Sequence, residues 1–230
     1  MRRRIESFTA QDERPGRETI VLCGSHAAGR ATPGSDIDLC YIGDFTGFRR
    51  ESHRFEGAEF QLMIAPWSWY EDVIRNHERR GNVGTVTAML AHGVCLAGCS
   101  PRWQELQRAA RTFYQGGPSE MSQDEMRRIR IRVTDLWGDF ADAAAGAQRR
   151  WLAMHLIQAC VDAHFRIRRW WAVKSKHQLD ELASGDPLVA GMVEECLRAP
   201  GEDDASLRRL CVHVLEPVGG WMNEPWSRHD

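Results

Sequence analysis

The sequence is poor in lysine. Thirty of its 230 residues are basic, yet only Lys174 and Lys176 are lysines and the other twenty-eight are arginines. It also lacks a charge excess, because 32 acidic residues bring the formal charge to -2 and the pI to about 6.5. That balance excludes a surface that is polycationic throughout and argues against nucleic acid as a partner. No apolar run approaches the roughly 20 residues of a membrane helix. The opening MRRRIESFTAQ has three arginines but not the apolar stretch of a signal peptide. Cysteine is odd in number, at seven, and Cys95 and Cys99 have no second Cys/His pair at zinc spacing, so neither a disulfide framework nor a structural zinc is expected. The cysteines stand mostly in apolar runs such as TIVLC and DIDLCYI, which suggests buried free thiols and a cytoplasmic protein. No internal repeat or low-complexity tract is present. What remains is the composition of a folded globular chain, 43% hydrophobic and 27% charged.

Two patterns divide that chain. Up to about residue 100, short apolar runs alternate with turn residues. Residues 19–23, 36–43, 59–65 and 93–97 read as strands, and WSWYEDVIRNHERR between the last two carries Trp69, Val73 and Ile74 at helical spacing. Strands with intervening helices indicate an α/β (α+β) domain built on a short sheet, assigned to residues 1–115. Beyond it the period lengthens. Ser122 and Glu125 form a capping box, after which Met126, Ile129, Val133, Trp137 and Phe140 mark one helix over 122–145. Further helices are expected at 147–171, 187–198 and 204–215, so residues 116–230 read as a helical bundle.

The segment that carries chemistry is VLCGSHAAGRATPGSDIDLCYIG, residues 21–43. A strand ends at Cys23, Gly24 and Ser25 make a turn, Gly29 permits close backbone approach, and a second strand begins with Asp36 and Asp38. Alternation along a strand puts both carboxylates on one face, about 6 to 7 Å apart, while Ile37 and Leu39 point to the other. Two like charges so placed call for a cation, and hard oxygen donors select Mg2+ or Mn2+ over zinc. The Gly-Ser turn offers N–H groups and a hydroxyl to phosphate oxygens. This describes a metal-nucleotide site. In two-metal nucleotidyl transfer a third carboxylate usually completes the set.

The string Gly24-Ser25, Gly29, Ser35-Asp36-Ile37-Asp38-Leu39 resembles the signature of the DNA polymerase beta-like nucleotidyltransferase superfamily, especially the small bacterial aminoglycoside adenylyltransferases. One departure is that many members carry an arginine where Ala28 stands, with Arg30 here following the glycine. The resemblance implies a nucleotidyltransferase domain with a short mixed sheet followed by an α-helical domain. It also implies ATP or another NTP as co-substrate, Asp36 and Asp38 as metal ligands, and nucleotide contacts at Gly24, Ser25, Gly29 and Ser35. Glu59, at the start of the third apolar run, is the expected third carboxylate, serving as metal ligand or as base, with Glu56 as the alternative. Similar enzymes carry a lysine shortly after an aromatic pair. Lys176, following Trp170-Trp171, fits that place, where its compact ammonium would neutralise triphosphate charge.

The expected reaction is transfer of a nucleoside monophosphate, AMP from ATP, to a hydroxyl of a small aminoglycoside-like acceptor with release of pyrophosphate. A helical half of this size favours a small-molecule pocket between two domains. The alternatives are adenylylation of a partner protein, as in toxin-antitoxin pairs, and RNA processing through Arg150 and His155. In the helical half, His155, Gln158, Asp162, Arg166 and Arg169 form a polar stripe on which Asp162 is either the residue that orients the acceptor or part of a solvated face. Asp135, Asp139 and Asp142 either meet a cationic acceptor or face water. Nine tryptophans, among them Trp221 and Trp226, leave both a monomer and a homodimer open.

Overall fold

The computed structural model describes residues 2–78 and 81–225. It contains two compact units, one made of residues 1–80 and 84–117, the other of residues 81–83 and 118–230. The short passage 81–83 thus belongs with the helical unit although it lies within the first unit's stretch of sequence.

The first unit is a five-stranded mixed sheet in the order β3-β4-β2-β1-β5. Helix α1 (Arg2–Gln11) precedes β1 (Arg17–Leu22), and the short α2 (Gly24–Ala27) leads through a loop to β2 (Ile37–Gly43). Then β3 (Arg49–Phe55) and β4 (Ala58–Pro66) form a hairpin, followed by α3 (Trp67–Asp72), a π-helical turn at Val73–His77, α4 (Thr85–His92), β5 (Val94–Ala97) and α5 (Pro101–Gly116). The last two residues of the run WSWYEDVIRNHERR lie outside the described residues.

Strand β2 sits at the centre, parallel to β4 and antiparallel to β1. All its residues except Asp38 are buried, as a strand covered on both faces requires. On one face Ile37, Leu39 and Tyr41 pack with Phe60, Leu62 and Ile64 against Ile5 and Phe8 of α1, and Phe8 stacks on Phe60 at 4.0 Å between ring centroids. On the other face Cys40, Ile42, Met63 and Ala65 pack against Trp67, Tyr70, Leu90, Trp103 and Leu106.

Strand β3 and the helices α1, α2, α4 and α5 go beyond the sequence expectation. The segment RRESHRF forms β3, although its polar residues show no apolar alternation, because it lies at the sheet edge with most of its side chains exposed. Helix α1 forms where only Ile5 and Phe8 are buried. The cysteines also need correcting. Cys23, Cys40, Cys160, Cys196 and Cys211 are buried free thiols, but Cys95 and Cys99 are joined in a disulfide with their Cα atoms 5.9 Å apart. That separation lies within the range a bridge requires, and the bridge removes the cysteine argument for a reducing compartment. No helix among the described residues is long and apolar enough to cross a membrane.

The second unit holds α6 (Gln123–Asp142), α7 (Ala147–Ile167), α8 (Ser175–Gly185), α9 (Pro187–Arg198) and α10 (Asp204–Leu215). Their core includes Val133, Phe140, Leu156, Cys160, Phe165, Val193, Leu210 and Val214. Ser122 caps α6 by accepting from the Glu125 N–H at 3.2 Å, but the expected return bond from the Glu125 side chain is replaced. The Glu125 carboxylate instead takes two hydrogen bonds, of 2.6 and 2.9 Å, from the buried Arg166 guanidinium. Helices α6 and α7 end three and four residues before their expected limits. The polar stripe on α7 is therefore no uniform solvated face: Arg166 is buried, and Arg169 lies past the helix end in a left-handed conformation, φ 57°.

Arginine's many donors explain part of the cation bias. Arg130 donates to the main-chain oxygens of Gly220 and Trp221, and Arg149 to those of Phe140, Ala143 and Gly201. One guanidinium ties several carbonyls at once, a geometry an ammonium does not reproduce.

Candidate functional site

The site lies at one end of the sheet in the first unit. The backbone of β1 still pairs with β2 at Cys23, whose N–H donates to the Asp38 main-chain carbonyl oxygen at 2.8 Å, and the chain then turns at once into α2. Gly24 takes φ +63°, and a Cβ there would overlap the Asp38 carboxylate, coming within 2.9 Å of its Cγ. Main chain and carboxylate are thus in contact, and only glycine leaves Asp38 its place. Ser25 is half-buried in α2, and its carbonyl accepts from the Arg30 N–H at 2.9 Å, folding the loop back on the helix.

Gly29 and Ser35 turn out to shape that loop. Gly29 has φ +67°, and a Cβ at this position would meet nothing within 4 Å. Its backbone conformation therefore requires glycine, and the expected close approach is not to any part of this chain. The Ser35 hydroxyl accepts from the Thr32 N–H at 2.9 Å and lies 3.1 Å from the Thr32 hydroxyl. It closes the turn that delivers Asp36 to the start of β2. Asp36 and Asp38 are both half-buried.

The parallel ladder pairs Asp38 with Gln61, and the residue before Ile37↔Phe60 in register brings Glu59 beside Asp36. Glu59 shares the aspartate face of the sheet by alternation. It is exposed, and its carboxylate accepts from Ser52 Oγ at 3.0 Å and from Gln61 Nε2. Among the described residues no three His, Cys, Asp or Glu side chains are grouped to hold a metal ion, so Glu59 as it stands makes no ligand trio with the aspartates. Glu56 is elsewhere: it forms the β3–β4 turn with Gly57, and its carboxylate lies 3.7 Å from Arg4 of α1.

The remaining candidates stand in the second unit. Lys176 is exposed in the first turn of α8, with Lys174 at the helix N-cap. Asp162 accepts from Gln158 at 2.8 Å and from Gln178 at 3.3 Å, and with Asn82, Glu125, Arg132 and Arg166 it lines a cavity of about 210 Å³. Asp135, Asp139, Asp142, Arg150 and His155 are all exposed. Trp221 packs on Trp137 at 5.8 Å between ring centroids, whereas Trp226 lies outside the described residues.

Sequence reading missed the cross-strand neighbours of the aspartates. Gln61 adjoins Asp38 in the ladder, Ser52 adjoins Gln61, and Arg50 and Arg54 flank Ser52. The available signal was the Glu56-Gly57 pair, a two-residue hairpin turn that fixes the register of everything before it.

Residues 2–76 match the family model described as a nucleotidyltransferase domain. No curated protein matches the sequence significantly. Eleven chains of known structure do. One is a nucleotidyltransferase-like protein from Exiguobacterium sibiricum 255-15, 13% identical, with 94% of this chain aligned to 71% of that one at a TM-score of 0.42. The chain thus combines a nucleotidyltransferase domain, matched over the stretch that holds Gly24, Asp36, Asp38 and Glu59, with a helical C-terminal region.

Proposed function

We propose that the protein transfers a nucleoside monophosphate from a nucleoside triphosphate to a hydroxyl of a small-molecule acceptor. The observation that carries this reading is the contact between the Gly24 backbone and the Asp38 carboxylate, with Asp36 two residues away at the same end of the strand. The donor set is all hard oxygen, which fits Mg2+ or Mn2+, and Asp36 and Asp38 would hold the ions. When bound, such ions neutralise charge on the transferring and leaving phosphate oxygens.

The chain's own residues divide the rest of the task. The Gly24–Ser25 turn offers its N–H groups and the Ser25 hydroxyl to the triphosphate. An acceptor hydroxyl attacks the α-phosphorus. One O–P bond forms, the bond from that phosphorus to the bridging oxygen breaks, pyrophosphate leaves, and the hydroxyl proton passes to Glu59. Ser52 and Gln61 hold that carboxylate in one orientation. Lys176, exposed and one of only two lysines, is assigned to the charge of the leaving pyrophosphate.

ATP is the first nucleotide to test and an aminoglycoside the first acceptor, both from the resemblance of the motif. Incubation with labelled ATP and Mg2+ should label a small acceptor, and Asp36→Asn with Asp38→Asn should abolish labelling. Undiminished transfer by that double variant would remove the metal-site assignment, and label found only on a protein would move the acceptor to a macromolecule.

A further inference from the structure

Strand β3 sorts its charges by face. Alternation puts Arg49, Glu51, His53 and Phe55 toward α1, where Phe8 packs on Phe55, and leaves Arg50, Ser52 and Arg54 on the side that carries Asp38, Glu59 and Gln61. On the α1 side the cations are neutralised. Glu51 accepts two bonds of 2.9 Å from Arg14, one of 2.9 Å from Arg49, and lies 2.9 Å from His53 Nε2.

On the aspartate side they are not. Arg50 and Arg54 are exposed, and neither forms an ion pair among the described residues. Arg54 even has a carboxylate as its direct cross-strand neighbour, Glu59, but that group is turned to Ser52 and Gln61. Opposite charges so placed on one sheet face ordinarily pair. Two guanidiniums are thus left open on the sheet face that carries the aspartates, Arg54 level with Glu59 and Arg50 level with Met63.

Strand order gives them a direction. The Gly24–Ser25 turn follows β1, on one flank of β2, whereas β4 and β3 lie on the other. In phosphoryl-group chemistry the entering and leaving oxygens are roughly in line on opposite sides of phosphorus. If the triphosphate tail lies on the turn's flank, as the function proposed above has it, the acceptor enters over β4 and β3. Arg54 stands two strands from β2, roughly 10 Å away at about 4.8 Å per strand, and Arg50 lies four residues, about 13 Å, further along β3, level with Met63 and Cys40. Those distances suit the far end of a small acceptor and not its reacting hydroxyl.

We propose that Arg50 and Arg54 bind a phosphate group on the acceptor, so that the acceptor is a small hydroxyl compound that itself carries a phosphate. This assignment rests on the transferase reading of the aspartate site and sharpens it. The guanidinium fork matches phosphate oxygens two at a time. A polyamine such as an aminoglycoside would instead meet like charge at this rim. A nucleic-acid strand is poorly served as well, because two phosphate contacts fall short of the roughly 6 to 10 that give such proteins their affinity.

The test uses the full chain with Mg2+, labelled ATP and a panel of sugar phosphates, ribose 5-phosphate among them, beside their unphosphorylated sugars, an aminoglycoside and a short oligoribonucleotide. Label should enter a phosphorylated sugar. Arg50→Gln with Arg54→Gln should raise the KM for it roughly tenfold or more, the scale of a lost charge-assisted hydrogen bond. The Kd of a non-hydrolysable ATP analogue should stay within about twofold, since the arginines lie off the triphosphate's flank. In parallel, the NMR Nε–Hε signals of Arg50 and Arg54 should shift on adding ribose 5-phosphate without nucleotide. Label entering only the aminoglycoside, the plain sugars or the RNA, or arginine variants that weaken the ATP analogue instead, would overturn the assignment. ATP-analogue binding that survives Asp38→Asn would remove the transferase reading itself. Binding that depends on Asp38 beside an acceptor indifferent to the arginines removes only the acceptor's phosphate.

Discussion

The backbone of Gly24 lies against the carboxylate of Asp38, so close that the smallest side chain at position 24 would overlap the Asp38 Oδ2 oxygen. Gly24→Ala should therefore do two things. The strained φ should cost about 1 to 2 kcal/mol of stability. Displacement of the Asp38 carboxylate should lower nucleotide transfer by a larger factor, on the order of a hundredfold, since misplacing a catalytic group by about 1 Å has that effect. Chemical denaturation and a transfer assay on the same variant separate the two. Full activity in a destabilised variant would show that Asp38 does not need its present position.

Glu59 is expected to act through its carboxylate. Glu59→Gln should depress kcat by roughly a hundredfold or more while leaving stability nearly unchanged, the usual scale for a lost general base. Ser52→Ala, which removes one of its two hydrogen bonds, should give a smaller loss. Equal activity of Glu59→Gln and wild type would return Glu59 to the role of an exposed strand residue.

The two lysines make an internal control. Lys176→Ala should raise the KM for the triphosphate severalfold or more, and Lys174→Ala, at the N-cap of α8, should not. Steady-state kinetics on both variants decide the matter, and equal small effects would return both lysines to the surface.

Arg166 is the structural keystone of the second unit. The residue is 6% exposed, and its guanidinium pairs with Glu125 and donates to the Ser119 carbonyl at 2.7 Å. Arg166→Met leaves the Glu125 carboxylate and a main-chain oxygen unserved, and should cost about 3 kcal/mol, the lower end for breaking a buried pair. Ser122→Ala, which removes only the cap, should cost about 1 kcal/mol. Urea denaturation would rank the two, and the reverse order would mean that Glu125 finds water when Arg166 is gone.

Acidity should weaken the first unit through Glu51. Hydrogen bonds from Arg14 above all, then from His53 and Arg49, hold its carboxyl at about 2 against an ordinary 4.5. The folded protein binds that proton less readily than the unfolded chain, so the group favours folding fully above pH 4.5. Its contribution shrinks as pH falls and is gone below about 2. Because Glu51 is partly exposed, the contribution should be about 1 kcal/mol or less. Glu51→Gln should flatten the stability curve across that interval, measured as urea midpoints from pH 2 to 6, and an unchanged slope would assign acid sensitivity to other carboxylates.

What could be read from the sequence was what is local in it. The apolar runs that became β1, β2, β4 and β5, the helices α9 and α10, and the Gly24-Ser25 and Asp36-x-Asp38 spacing each declare themselves within a few residues. Strand β3 did not, since an edge strand with neither face fully covered has no apolar period to show. The Glu125 side chain was assigned to its own helix cap, but a buried guanidinium 41 residues away competes for it and wins. The Cys95–Cys99 bridge was missed because the thiol count was odd and the other five are buried. Gln61, Ser52 and the two open arginines reach the aspartates only through ladder register, which no spacing along the chain records.

The hairpin turn at Glu56-Gly57 gives that register an evolutionary weight. Because side chains alternate every residue, a single insertion or deletion in the turn would exchange the two faces of β3. Glu51, His53 and Phe55 would then border the aspartates in place of Arg50, Ser52 and Arg54. One codon gained or lost in that turn would replace a cationic rim with one holding a carboxylate and aromatic rings, and so open the same scaffold to a different set of molecules.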